Sequence, residues 1–122
     1  MVNKIYKSVR NALLGLSYAY SSDRSFRMEV GGSIIYIILG FFLWPLAGVE
    51  LALLIGSYIL ILITELINTS IEQMLERLHP ERHHLIGVSK DIASAAVLMA
   101  FLFAILITSL LILDRLGLVF FS

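Results

Sequence analysis

Residues 51–72 read LALLIGSYILILITELINTSIE. The stretch 51–71 is a largely apolar run broken only by the charged Glu65 and the amide Asn68. Its length suits a helix crossing a hydrocarbon core of about 30 Å. Glu65 precedes Glu72 by seven residues, which at about 1.5 Å per residue puts it roughly 10 Å deeper. An ionisable group at such depth costs on the order of 3 kcal/mol and marks a functional position by default. The plain alternative is a protonated, hydrogen-bonded structural glutamate. Glu65, Asn68, Glu72 and Glu76 stand at i, i+3, i+7 and i+11 and so share one helix face. An ordinary amphipathic helix end accounts for Glu72 and Glu76, but not for Glu65 and Asn68.

The flanking chain has the same character. Residues 30–49 form a run without charge, closed by Trp44 and Pro45 as interface and break signals. Residues 92–113 form another, in which Ala96, Ala100 and Ala104 make a small-residue face suited to close helix packing. Between the second and third runs lies a polar loop, 72–91, with Pro80 ending the helix before it. Residues 3–21 read as an amphipathic helix, with Ile5, Val9, Leu13, Leu16 and Tyr20 on its apolar stripe and a basic opposite face. That pattern suits the membrane interface, or packing on the protein itself.

These readings predict an all-α membrane protein of 122 residues in a single domain, with three transmembrane helices and an N-terminal amphipathic surface helix. Composition agrees: 59% of residues are apolar and 15% charged, with mean hydropathy +0.93. The zero net charge gives no electrostatic case for nucleic acid. The absence of cysteine excludes disulfides and thiolate chemistry. The first apolar run begins too late for a secretory signal. Basic residues gather before the first run (Lys4, Lys7, Arg10, Arg24, Arg27) and between the second and third (Arg77, Arg82, Lys90). The N-terminus and the 72–91 loop are therefore expected in the cytoplasm, and the 45–50 turn and C-terminus outside.

Several polar residues flank the Glu65 stripe. Lys90 and Ser94 share a face at the start of the third helix, beside Asp91: a cation for phosphate, a hydroxyl for a headgroup, or simply a cap with an interfacial lysine. Asp23 and Glu29, just before the first run, can join Glu72 on a divalent metal, because Mg²⁺ takes one or two carboxylates plus phosphate oxygens and water. They also read as plain helix-start acids. His79, His83 and His84 fit no closed zinc site and read as a solvated loop. The chain has no GxxxxGK[ST] loop and no protein-kinase signature set. Three helices shield a buried polar stripe poorly, so a homo-oligomer with sites between protomers is expected.

Glu65-Leu-Ile-Asn68-Thr-Ser-Ile-Glu72 resembles the Glu-x-x-Asn-Ser/Thr-x-Ile/Val-Glu signature of the prokaryotic diacylglycerol kinases. Lys90-Asp91-Ile-Ala-Ser94-Ala-Ala-Val97 is similar to that family's second signature, and Phe26-Arg27-Met28-Glu29 to its pre-span segment. The resemblance covers almost the whole chain. It implies a homotrimer in the bacterial inner (cytoplasmic) membrane that transfers the γ-phosphate of MgATP to diacylglycerol, giving phosphatidic acid. Undecaprenol kinases are the sister class, and a non-enzymatic helical membrane subunit is the remote alternative. By resemblance Glu65 is the general base. Asp23, where the family usually has Glu, and Glu72 hold metal and nucleotide. Lys4, Asn11, Glu81, Arg82, His83, Lys90 and Asp91 match nucleotide contacts. Glu65, Asn68, Ser94 and Glu29 match the lipid side, where Met28 replaces a commonly polar residue.

Overall fold

The computed structural model describes residues 1–78 and 84–119. They form five helices: α1 (Val2–Ser22), α2 (Arg24–Gly31), α3 (Ser33–Leu43), α4 (Gly48–Leu78) and α5 (His84–Arg115). No strand occurs among the described residues. Three stretches are long and apolar enough to cross a membrane: Arg24–Leu43, which joins α2 and α3, Gly48–Leu78 and His84–Arg115. The protein is an all-α membrane protein with an additional N-terminal helix.

The first spanning stretch begins earlier than residue 30 and stops at Leu43, short of residue 49. Trp44 has extended backbone, because the residue before a proline is pushed out of the helical region. Gly32 divides the same stretch into α2 and α3.

α4 and α5 pack along each other, and their buried positions follow helical periodicity. On α4 these are Leu54, Ser57, Ile61, Glu65 and Asn68; on α5, Ala93, Ala100, Ala104, Ile107 and Leu111. Leu43, Leu54, Ile107 and Leu111 form one apolar cluster, and Ile61, Ala100 and Ala104 a second. Tyr36 of α3 packs on both. Alanine lets the two long helices approach closely. Of the expected small-residue face, Ala100 and Ala104 are buried while Ala96 is exposed; Ala93, seven residues before Ala100, takes the inner position. Ser57 is fully buried yet satisfied. Its hydroxyl donates to Leu54 O at 2.8 Å, which leaves its oxygen to accept from Tyr36 Oη at 3.4 Å.

The end of the bundle remote from Glu65 is held by one side chain. Arg115 Nε donates to Leu43 O at 3.1 Å, and Nη2 to Pro45 O at 2.8 Å. The same guanidinium grips Glu50 through Nη1 at 2.9 Å and Nη2 at 3.3 Å, and meets Asp114 at 3.0 Å. Glu50 in turn accepts from the Ala47 N–H at 3.0 Å, satisfying the backbone donor just before α4. One planar fork thus ties the end of α5 to the α3–α4 turn. Arg115→Lys keeps the charge but loses the fork. It is expected to lower the thermal midpoint in detergent, read by circular dichroism; an unchanged midpoint would show that the fork contributes nothing.

The outward faces of α3 and α5 are apolar and exposed, including Ile34, Phe41, Phe42, Leu98, Met99 and Ile105. So is the stripe Ile5, Val9, Leu13, Leu16 and Tyr20 on α1, where Ala19 alone is buried.

Candidate active site

The site begins at the elbow between α1 and α2. Asp23 has extended backbone there, and its N–H closes α1 on Ala19 O at 2.8 Å. Its Oδ1 accepts from the Ser25 N–H at 3.0 Å, capping the start of α2. Arg27 Nη1 reaches back to Tyr20 O and Ser21 O, each at 2.9 Å, and satisfies the last carbonyls of α1. The elbow is therefore fixed from both sides.

The elbow brings Asp23 against α4. Thr69 Oγ1 donates a short hydrogen bond to Asp23 Oδ2, and the Glu65 carboxyl lies close by. Burial pushes the Asp23 carboxyl up. Hydrogen bonds from Thr69 and from the backbone N–H groups of Phe26 and Ser25 hold it below its ordinary value all the same. Asp23 is therefore anionic at neutral pH.

Glu65 is 6% exposed and Asn68 8%. Asn68 Nδ2 lies 3.4 Å from Glu72 Oε1, at the long limit of a hydrogen bond. Charge repulsion links Glu65 to Glu29, Asp23 and Glu72. Four carboxylates from α2, α4 and the elbow thus converge, and among the described residues none is ion-paired. Two buried acceptors, Glu29 Oε2 and Asn68 Oδ1, have no hydrogen-bond partner. Such atoms call for a donor from outside the chain.

The carboxylates do not close into a ready-made cage. Among the described residues no group of three acidic or histidine side chains is placed to hold a metal. Uncompensated negative charge with an open ligand set nevertheless suits Mg²⁺, which keeps waters and takes phosphate oxygens beside one or two carboxylates. Asp23 and Glu72 are the residues that would hold it.

Lys90 Nζ pairs with Glu76 Oε1 at 3.1 Å, one turn beyond Glu72 on the same α4 face. The start of α5 therefore sits beside the carboxylate end of α4, with Asp91 and Ser94 exposed on it. Lys4 and Asn11 are exposed on α1, away from any side-chain partner among the described residues. Glu81, Arg82 and His83, expected at the nucleotide, lie outside the described residues. A groove of about 1280 Å³ separates α1 from α4, with Gly15 and Ala19 on one wall and Thr69, Gln73 and Glu76 on the other.

Thr69 and Arg27 stand inside the quoted motifs, but the sequence assigns neither the role it has in building the site. Thr69 stands four residues after Glu65, so helical spacing places it beside the stripe and is the signal that could find it. Arg27 carries no such signal, because its partners are backbone carbonyls of another helix.

Residues 10–112 match the model of the family described as prokaryotic diacylglycerol kinase. The chain is similar to a diacylglycerol kinase of Escherichia coli (strain K12), with 31% identity over 93% of each chain. Another, from Haemophilus influenzae, is 36% identical over 79% of this chain and 80% of its own length. A third, from Pseudomonas aeruginosa, is 35% identical over 81% of this chain and 80% of its own.

Proposed function

Because this chain belongs to the prokaryotic diacylglycerol kinase family, we propose that it phosphorylates diacylglycerol with ATP and Mg²⁺, giving phosphatidic acid at the cytoplasmic face of a bacterial inner membrane. It is a membrane-embedded kinase. The observation that carries the finer reading is the unpaired carboxylate cluster around buried Glu65, with the free acceptors Glu29 Oε2 and Asn68 Oδ1 beside it.

In this reading Glu65 accepts the proton of the lipid hydroxyl as its oxygen attacks the γ-phosphorus. The new P–O bond forms as the bond to the β,γ-bridging oxygen breaks, and ADP departs. Glu29 and Asn68 accept hydrogen bonds from the glycerol end of the lipid and orient it; Ser94 contacts it from α5. Asp23 and Glu72 would hold Mg²⁺, and Lys90, which pairs with Glu76, lies with Asp91 on the nucleotide side. Lys4, Asn11, Glu81, Arg82 and His83 complete the nucleotide side. Mg²⁺ bound there would offset the negative charge of the phosphates. Phosphoryl transfer depends on such positioning and charge compensation more than on covalent catalysis. Lys90→Ala is expected to raise KM for MgATP several-fold while kcat falls less; an unchanged KM in steady-state assays would remove Lys90 from the nucleotide side.

Most of the stretch expected as a 72–91 loop is helical, since α4 runs to Leu78 and α5 starts at His84; the basic residues before the first span and those at the facing ends of α4 and α5, Arg77 and Lys90, support placing the site in the cytoplasm. The family resemblance supports a homotrimer, and the half-buried Asp23, Glu29 and Glu72 leave the outer side of the cluster for a neighbouring copy to cover.

The acceptor is tested in mixed micelles with MgATP, offering diacylglycerol and undecaprenol in parallel and counting phospholipid product. Diacylglycerol is expected to be the better acceptor by kcat/KM. Preference for undecaprenol would move the chain to the sister activity with the same catalytic residues.

A further inference from the structure

Backbone geometry at Gly32 sets the position of Glu29. The Gly32 N–H bonds to Met28 O at 2.9 Å and also to Glu29 O at 3.1 Å, a tightened turn between α2 and α3. A Cβ at Gly32 would lie 3.1 Å from Glu29 O, so the turn favours glycine. The carbonyls of Glu29 and Val30 face α4 at this break. Inside a membrane such groups must find partners within the protein.

Tyr58 supplies one. Its Oη lies 3.0 Å from Glu29 O and 3.2 Å from Val30 O, and its single proton serves the pair. The Tyr58 ring packs against Tyr36 with centroids 4.8 Å apart, and Tyr36 is anchored in turn on Ser57. Tyr58 precedes Glu65 by seven residues, two turns along the same α4 face. The phenol therefore links the helix that carries Glu65 to the turn that carries Glu29. Beside this link lies an apolar cavity of about 370 Å³, lined by Met28, Glu29, Tyr36, Tyr58 and Phe101 among others. Glu29, with its unpartnered Oε2, stands on the cavity wall.

We infer that Tyr58 is a positioning residue for lipid phosphorylation: its hydroxyl, bound to the backbone at the Gly32 break, holds Glu29 in register with Glu65, beside a cavity that receives the acceptor lipid. The inference rests on the kinase reading above. Tyr58 touches no reacting atom and acts through Glu29.

The test is Tyr58→Phe, which keeps the ring and its packing and removes only the hydroxyl. Displacing one wall of a reacting site by about 1 Å can cost about 100-fold. Tyr58→Phe is expected to lower kcat/KM for diacylglycerol by about 10- to 100-fold, with KM for MgATP unchanged. Paired with Glu29→Gln, it is expected to add little further loss, since both changes act on one interaction. Gly32→Ala disturbs the same turn from the other side and is expected to give the same selective lipid defect; it decides the matter if Tyr58→Phe fails to fold. Wild-type lipid kinetics in a folded Tyr58→Phe variant, or a loss fully additive with Glu29→Gln, would overturn the positioning role. A wild-type protein that phosphorylates no lipid would instead overturn the kinase reading.

Discussion

Glu65→Gln is expected to lower kcat for lipid phosphorylation by about 10²- to 10⁴-fold, the usual worth of a positioned general base, while the protein stays folded. The substitution is nearly isosteric, and an amide is easier to bury than a carboxylate, so helix packing has no reason to suffer. The surroundings of Glu65 also relax, because charge repulsion from Glu29, Asp23 and Glu72 is relieved. A purely structural glutamate would behave differently: its replacement would shift the thermal midpoint and leave the turnover of the folded fraction intact. Circular dichroism melts beside steady-state assays separate the two. Full activity in Glu65→Gln would remove it as the base.

Asp23→Asn is expected to cost about 10²-fold or more in turnover, a loss comparable with removing a preorganised electrostatic contact, with little loss of stability. Asp23 has two separable duties. Its Oδ1 caps α2 through the Ser25 N–H, and its charge belongs to the carboxylate cluster. Asparagine caps a helix about as well as aspartate, so Asp23→Asn removes the charge and keeps the cap, and its amide can still meet the Thr69 hydroxyl with the direction of that bond reversed. Asp23→Ala removes both and should also lose about 1 kcal/mol of stability from the cap. The cap also suits aspartate here, because its short carboxylate bonds the N–H two residues on. In Asp23→Asn the concentration of Mg²⁺ giving half-maximal activity should rise. Normal Mg²⁺ dependence in a stable Asp23→Asn protein would leave the residue a cap alone.

The parts of the molecule written as long apolar runs are legible in the sequence alone. A spanning helix needs only length and hydropathy, and Glu65 stands out because its burial is costly. The first run is less legible, since two local events break it: Trp44 leaves the helix before Pro45, and Gly32 tightens the backbone between α2 and α3. Hydropathy registers neither. Threonines show the limit within one helix. Thr64 bonds back to Leu60 O and Ile61 O of its own helix, whereas Thr69 reaches Asp23. Nothing in residue type separates them; the difference lies in what packs opposite. Tyr58 is illegible for the same reason, because its partners at Glu29 and Val30 are 29 and 28 residues away in the chain. Ala96 and Ala93 differ by less than one helical turn, and which of them faces α4 depends on how the two helices are rotated against each other.

The most direct measurement is transfer of labelled γ-phosphate from MgATP to diacylglycerol by the purified protein in mixed micelles, with ADP and labelled lipid counted together. One phosphatidic acid formed for each ADP released, and none without Mg²⁺, is the predicted result. Folded protein that releases ADP without labelled lipid, or that releases neither product, would contradict it.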